Sequence, residues 1–438
     1  MNKSFEFKNI FRALRYRNYR IFFLGQSASL IGTWMQQVAL SWLVYRLTNS
    51  PFLLGMTGFM SQIPTFFFTP FAGVLADRHN RRNMLIATQG LSMLQASILA
   101  FLVLTHQIQV WHIMVLSVFL GIIFSFDIPI RQAFTVEMIE NREDLGNAIA
   151  LNSSMLNAAR LIGPSIAGLL IACVGEGVCF LLNAVSFIPV ILSLAAMRIA
   201  PSQVSTPSRH ILVELKEGLG YALSFAPIKW ILILLSMISL MGVPYQVLMP
   251  IFARDVFHGG PNTLGFLMGM SGMGALIGAV FLAARKSVIG LPRIIAWTAV
   301  IFGATIVIFS FSRVFWFSMP VILLSGFGVM VHMAACNTIL QTVVDEDKRG
   351  RVMSFYTMAF MGTMPFGSLL AGVLASRIGA PHTLLIGGAS CVVLAFIFMS
   401  KLPLIRKEIR PVYVKKGIIA EVTQGIQAAT GLESLTGE

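Results

Sequence analysis

Charged side chains are scarce in this chain. Asp, Glu, Lys and Arg make up 11% of the 438 residues, whereas an ordinary soluble domain has about 25%. Hydrophobic residues make up 56%. This number of charges is too small to cover the surface of a water-soluble protein of this length. The composition therefore excludes a soluble enzyme and a disordered tail protein. It indicates a polytopic membrane protein.

Cysteine and nucleotide-binding motifs are also lacking. The four cysteines lie in or beside apolar stretches without metal-ligand spacing, so we predict no disulfide, no metal site and no cofactor. No glycine-rich loop ends in Gly-Lys-Ser/Thr and no nucleophile elbow is present, which argues against an ATP-driven pump and a hydrolase. The cysteines are Cys173, Cys179, Cys336 and Cys391.

Basic residues outnumber acidic ones, 32 to 18. They stand in short clusters between apolar stretches rather than in one stripe, so we predict no nucleic-acid partner. We attribute the excess to the positive-inside bias of membrane proteins. The first sixteen or so residues are basic and lack an apolar core with a cleavage site, so no signal peptide is predicted.

Twelve apolar stretches reach the length of about 20 residues that a membrane span needs. The termini and the even-numbered loops hold 26 of the 32 Lys and Arg residues, and the odd-numbered loops hold four. This asymmetry predicts a multi-pass protein of the cytoplasmic membrane with both termini in the cytoplasm. The predicted spans are 20–45, 52–76, 83–105, 112–138, 145–173, 176–198, 228–253, 262–284, 290–312, 315–341, 351–376 and 381–402.

A polar linker divides the spans into six plus six. Residues 199–226 contain Pro201 and Pro207 and then an amphipathic pattern, which predicts a helix on the inner membrane surface. The halves, 1–198 and 227–402, precede a cytoplasmic tail, 403–438. Four glycine pairs share an offset of 204 residues, which indicates a duplicated architecture that rocks about a central site. The pairs are Gly146 and Gly350, Gly163 and Gly367, Gly168 and Gly372, and Gly175 and Gly379.

The loop after the second span carries the most specific motif, Gly73-Val-Leu-Ala-Asp77-Arg78-His-Asn-Arg81-Arg82. It resembles the signature loop of the major facilitator superfamily, with asparagine at position 80 where that family usually has glycine. The resemblance implies an all-α membrane fold of twelve transmembrane helices in two pseudo-symmetric six-helix halves. It also implies that Gly73, Asp77 and the arginines form a latch closing the cytoplasmic side. The alternative is that the arginines only anchor the loop inside.

Further motifs narrow the resemblance to one exporter branch, which includes the enterobactin exporter and macrolide efflux-like proteins. These motifs are 32–36, 47–51, 127–132 and 160–164. The stretch from Gly163 and Pro164 to Gly168, preceded by Arg160, is similar to the antiporter motif of superfamily exporters. Its small residues and proline are expected to form a periplasmic gate, and ordinary small-residue packing is the alternative.

Ionisable residues inside spans are the candidates for coupling, because a charge in mid-bilayer is costly. Asp127 and Arg131 share one face of the fourth span. They form either a proton switch, in which burial opposes and Arg131 favours ionisation, or a structural ion pair. Arg160 either neutralises Asp127 or binds an anionic substrate group. His332 is either a second titrating site or an ordinary helix contact.

The resemblance implies that spans 1, 4, 7 and 10 line the substrate cavity. Our reading is a secondary transporter that exports amphipathic drug- or siderophore-like molecules in exchange for protons, in a lipid bilayer and as a monomer. The alternatives are a flippase for lysophospholipid without strict proton coupling and a membrane sensor that transports nothing. The candidate cavity residues are Gln26, Thr33, Gln37, Asn157, Tyr245, Gln246, Met249 and Asn337.

Replacing Asp77 with Asn tests the predicted latch. The substitution removes the charge that pairs with the arginine cluster, so we expect the population to shift toward opening at the cytoplasmic side. Spin labels on the cytoplasmic ends of the two halves measure this as longer distances, and Asp77→Glu is the control that keeps the charge. An unchanged distance distribution would count against the latch.

Overall fold

A computed structural model describes residues 11–197, 220–222, 224–285, 287–346 and 348–419, without the side chains of residues 70, 72–74, 76–78 and 142. Within these residues the chain is helical and has no strand. Twelve long helical segments follow one another. They are α1 (Arg17–Thr48), α2 (Pro51–Arg78), α3 (Arg81–Leu104), α4 (Val110–Glu137), α5 (Leu145–Val174), α6 (Glu176–Ala196), α7 (Ala226–Val256), α8 (Pro261–Ala283), α9 (Leu291–Phe311), α10 (Phe315–Val343), α11 (Arg349–Ile378) and α12 (Ala380–Lys415).

Local sequence fixes where two of these helices begin. Ser50 caps α2 by accepting from the Leu53 amide at 3.3 Å, and Pro51 occupies the first helical position. Asn80 caps α3 in the same way, with extended backbone. Ten of the segments, α3 to α12, are long and apolar enough to span a membrane. The first two are 32 and 28 residues long and pack among them.

The predicted spans agree with the helices to within three residues, with one exception. The last helix continues beyond the predicted end of the twelfth span at 402 to Lys415, so the first part of the predicted tail is helical. Ile405, Ile409 and Tyr413 recur every four residues and are buried, and the Lys416 ammonium donates to the Val344 carbonyl at 3.0 Å. This apolar stripe docks the extension on its own half. Residues 198–219, which include most of the predicted linker and its helix, lie outside the described residues.

The two halves repeat one packing scheme. In the first half α1 packs on α5 and α6, α2 on α4, and α3 on α6; in the second, α7 packs on α11 and α12, α8 on α10, and α9 on α12. The offset of 204 residues carries both ends of α5 onto those of α11. Gly175 and Gly379, which follow these two helices, have φ of 82° and 83°. The predicted twofold repetition is therefore present in three dimensions.

Glycines join the halves at the end of the bundle that carries the odd-numbered loops. A Cβ on Gly372 of α11 would lie 2.8 Å from the Gly55 Cα of α2, and one on Gly265 of α8 the same distance from the Gly168 Cα of α5. Only glycine allows backbones to approach so closely. Gly163 is different, because it packs on Trp34 of α1 within its own half. Of the predicted gate glycines, Gly168 therefore makes the contact between halves.

Polar contacts cross between the halves at this same end. The Tyr45 hydroxyl donates to Asp255, and Arg254 donates to the Asn49 side-chain oxygen at 2.7 Å. At the opposite end the named charged contacts stay within one half. Arg15 binds Asp144 at 2.6 Å, and Arg81 binds Glu137 at 2.6 Å. The structure is therefore closed at the odd-loop end.

We expect Gly168→Leu to separate the halves at the odd-loop end, because its side chain would occupy the space of the Gly265 backbone. Spin labels at positions 107 and 313, which are exposed in odd-numbered loops of the two halves, should report a longer mean distance. Gly90→Leu on α3 is the matched control, since a Cβ there meets nothing within 4 Å. Wild-type distances in Gly168→Leu would show that the contact does not hold this end closed.

Replacing Tyr45 with Phe tests the polar crossing separately. A hydrogen bond to a charged group contributes about 1.5–3 kcal/mol, so its loss should favour opening of the odd-loop end by roughly tenfold or more. The same labels at positions 107 and 313 measure the open population. Tyr413→Phe, which removes a hydroxyl whose contact with the Val288 carbonyl lies within the second half, is the control. If the two variants have equal open populations, the glycine contacts alone hold this end closed.

Candidate functional site

A small cavity lies between the two halves, next to the glycine contacts of the closed end. Its volume of about 10 Å³ is roughly the space that a single water needs. The walls come from α1 and α5 of the first half and from α7 and α8 of the second. The lining residues are Trp34, Arg160, Pro164, Tyr245, Gln246, Met249, Met268 and Ser271.

The α7 and α8 side of the cavity is polar but uncharged. The Tyr245 hydroxyl and the Ser271 hydroxyl are 2.7 Å apart and form a hydrogen bond, and the Gln246 amide donates to Tyr245 at 3.4 Å. The Tyr245 ring stands edge-on to Phe302 at 6.1 Å. A π-helical turn, Ile238–Gly242, interrupts α7 just before Tyr245, and such turns are frequent at functional sites.

Arg160 supplies the charge of the site. Its guanidinium carbon lies 5.5 Å from the centroid of the Trp34 ring, in cation–π geometry. Among the described residues no carboxylate lies within 4.0 Å of this guanidinium. The cavity therefore presents one positive charge beside the Trp34 ring.

The structure joins two groups of residues that the sequence analysis kept apart. Arg160 and Pro164, predicted for the gate, line the same cavity as Tyr245, Gln246 and Met249, predicted for substrate. Trp34, Met268 and Ser271 were not among the candidates. The two α8 residues, Met268 and Ser271, were not predicted because Gly265, Gly269 and Gly272 lie around them in the sequence. These glycines are typical of a helix-packing face.

The other predicted cavity residues do not line this space. Gln26 is buried, and Gln37 is exposed. Thr33 donates to the Ser29 carbonyl at 2.8 Å, Asn157 to the Ser153 carbonyl at 2.9 Å, and the Asn337 side chain accepts from Gln341 at 2.5 Å.

The sequence analysis missed a buried amide network next to Gln37. Gln36 donates to the Gln95 side-chain oxygen at 2.9 Å and accepts from Asn183 at 2.8 Å. The network links α1, α3 and α6, so the polar face of α1 at this level points into its own half.

Asp127 is held by three donors. One carboxylate oxygen lies 2.6 Å from Arg131 Nη2, and the other accepts from the Thr88 hydroxyl at 2.8 Å and the Gln89 amide at 2.7 Å. All four residues belong to α3 and α4. The Asp127 side chain is 3% exposed, whereas that of Arg131 is 22% exposed. Asp127 therefore binds Arg131 and α3, not Arg160.

His332 lies in the other half, between α9 and α10. Its Nδ1 is 3.1 Å from the Ile295 carbonyl, and its Nε2 is 3.7 Å from the Cys336 sulfur. The side chain is fully buried. The structure does not bring His332 together with Asp127 or with the cavity around Arg160.

The predicted latch lies at the even-loop end. Gly73, Asp77 and Arg78 belong to the last turns of α2, and their side chains lie outside the described part of the chain. Arg81 binds Glu137 at the end of α4, and Arg82 donates to the Leu194 carbonyl of α6 at 2.6 Å. These two arginines therefore fasten the start of α3 to α4 and α6 of the same half.

Comparisons with known proteins agree with this architecture. The chain is 25% identical to the "Staphyloferrin A transporter" of Staphylococcus aureus, over 87% of this chain and 96% of the relative. It is 24% identical to the "Macrolide efflux protein A" of Streptococcus pyogenes, again over 87% and 96%. A crystal structure of the nucleoside transporter NupG covers 88% of this chain and 99% of its own, with a TM-score of 0.69 at 13% identity, and shows the same fold.

The family assignment rests on nearly the whole chain. Residues 9–417 match the profile described as "Transmembrane secretion effector", and the relatives are membrane transporters of the efflux and secretion type, not enzymes. The protein is therefore a member of the transmembrane secretion effector family of the major facilitator superfamily.

Proposed function

We propose that this protein exports amphipathic small molecules, drug- or siderophore-like, across the cytoplasmic membrane in exchange for protons. The observation that carries the proposal is the Arg160 cavity, which is built from both halves and lies just inside the closed end of the bundle. With both termini in the cytoplasm, as the distribution of Lys and Arg predicts, the closed end is periplasmic. The structure then corresponds to a state that is closed toward the periplasm.

The energy source follows from what the chain offers. No phosphate-binding loop occurs in the sequence, so the transport energy must come from an ion gradient or from the substrate's own gradient. Two named relatives, a staphyloferrin A transporter and a macrolide efflux protein, support a substrate that is larger than a simple ion. Met249 and Met268 in the cavity wall are flexible and polarizable, which suits several related ligands.

Asp127 is the coupling residue in this proposal. As a carboxylate it accepts from Arg131 of its own helix and from Thr88 and Gln89 of α3, so two hydrogen bonds link α4 to α3. Protonation would remove the charge that these donors share and loosen the contact. Arg131 is partly exposed, which provides water with a route to the pair. Proton binding would thereby change how α4 is held against α3, in the same half of the bundle as Arg160.

We expect Asp127→Asn to retain facilitated downhill movement and to lose uphill efflux, because the amide mimics a permanently neutral state. Proteoliposomes with an imposed pH gradient, loaded in turn with a macrolide, a catecholate siderophore and a lipophilic cation, measure both. The loss should be at least tenfold in the steady-state concentration ratio. Glu346→Gln, an exposed acid at the even-loop end, is the matched control.

Three other outcomes separate the alternatives. Uphill efflux at the wild-type rate in Asp127→Asn would make the ion pair structural. Movement of lysophospholipid without any dependence on the pH gradient would favour the flippase. No flux of any compound in the wild-type protein would favour a sensor.

A further inference from the structure

We propose that Arg160 binds a carboxylate, so that the exported molecules are organic acids with an apolar or aromatic body. The inference deepens the proposed export function, on which it rests, by assigning a chemical class to the substrate and a contact to its charged group. It is carried by a guanidinium, at the boundary of the two halves, that makes no ion pair with an acid of the described part of the chain.

Arg160 differs from the arginines that pair with acids. Arg46 lies 2.7 Å from Glu176, and Arg81 and Arg131 each lie 2.6 Å from an acidic side chain. Arg160 makes no ion pair of 4.0 Å or less with the described acids. A guanidinium stays protonated in proteins, and a charge inside a span costs about 2.5–3.5 kcal/mol on insertion scales. A cation kept there without a partner is suited to a ligand that supplies the missing negative charge.

The surroundings of Arg160 favour a carboxylate. The other lining residues are neutral, and three of them, Tyr245, Gln246 and Ser271, carry polar groups that can donate to a bound oxygen. A planar guanidinium matches the two oxygens of a carboxylate. One guanidinium balances the single charge of a carboxylate, whereas a phosphate monoester carries about −1.5 to −2 and would leave charge unpaired.

The apolar part of the ligand has its own place. Trp34 holds the guanidinium over its ring and is itself a cavity wall, as are Met249 and Met268. An aromatic or aliphatic body next to the carboxylate can therefore stack or pack there.

Occupancy of the site would be coupled to movement. In this structure the cavity has room for about one water, so a larger ligand binds there only when the helices part. Arg160 and Trp34 belong to the first half, and Tyr245 and Ser271 belong to the second. A carboxylate bound to Arg160 and to the hydroxyl pair would bridge the halves, so binding and release would accompany their rocking.

Four probes that share one fluorophore test the charge preference. They are dansyl-glycine, its neutral amide, dansyl-aminoethyl phosphate and cationic dansyl-cadaverine, titrated by calorimetry into the purified full-length protein. We expect dansyl-glycine to bind at least tenfold more tightly than the amide and more tightly than the phosphate or the amine. Equal affinity for dansyl-glycine and its amide, or no binding of dansyl-glycine, would overturn the proposal. Tighter binding of the phosphate would overturn the choice of a carboxylate.

Substitutions of Arg160 test whether this residue causes the preference for the carboxylate. Arg160→Gln should bind dansyl-glycine and the amide equally, and Arg160→Lys should recover only part of the difference because it lacks the planar fork. Arg313→Gln, which removes an exposed arginine bound to backbone carbonyls of an odd-numbered loop, should keep the full difference. A full difference in Arg160→Gln would contradict the assignment. Thermal unfolding of each variant checks that the fold is retained.

The same probes distinguish this inference from the export function. If wild-type proteoliposomes move dansyl-glycine and its amide equally well, export stands and the anion site falls. If they move a neutral macrolide against its gradient and the Arg160→Gln variant does so equally well, the same conclusion follows.

Discussion

Close contact between glycine backbones determines the arrangement of the whole bundle. Gly55 meets Gly372 and Gly168 meets Gly265 at the odd-loop end, one contact on each side of the interface between halves. In a bilayer the apolar surface of a helix gains little from leaving lipid, so close packing of small residues supplies the attraction. Since these contacts set how α5 approaches α8, they also decide where Arg160 and Ser271 meet.

The duplicated halves have kept their packing and diverged in chemistry. The offset that superimposes α5 on α11 pairs Arg160 with Met364 and Pro164 with Ser368. The second half thus has no counterpart to the cation. It contributes instead the hydroxyl groups of Tyr245 and Ser271, so the site is asymmetric although the scaffold is symmetric.

Arginines inside and beside the helices differ in what they bind. Arg46, Arg81 and Arg131 are paired with acids of their own half and hold helices together. Arg160 is supported by an aromatic ring instead, and its charge remains available to a ligand. The free-energy cost of burying a charge differs between a charge with an acidic partner and one without. A bound anionic ligand would supply the partner in the second case.

Sequence alone indicated the duplication through glycines at one offset, and it determined the spans because hydropathy is a local property. It placed their ends to within three residues except at the last helix. It also identified Asp127 with Arg131, which are one helical turn apart. It did not determine which way a helix faces, because a helix that is apolar all round carries no marked face. Tertiary packing decided that Gln36 rather than Gln37 joins the amide network, that His332 binds α9, and that Gly168 rather than Gly163 meets the other half. Packing between two halves, hundreds of residues apart in places, also brought Trp34, Arg160, Tyr245 and Ser271 into one cavity, which no local pattern encodes.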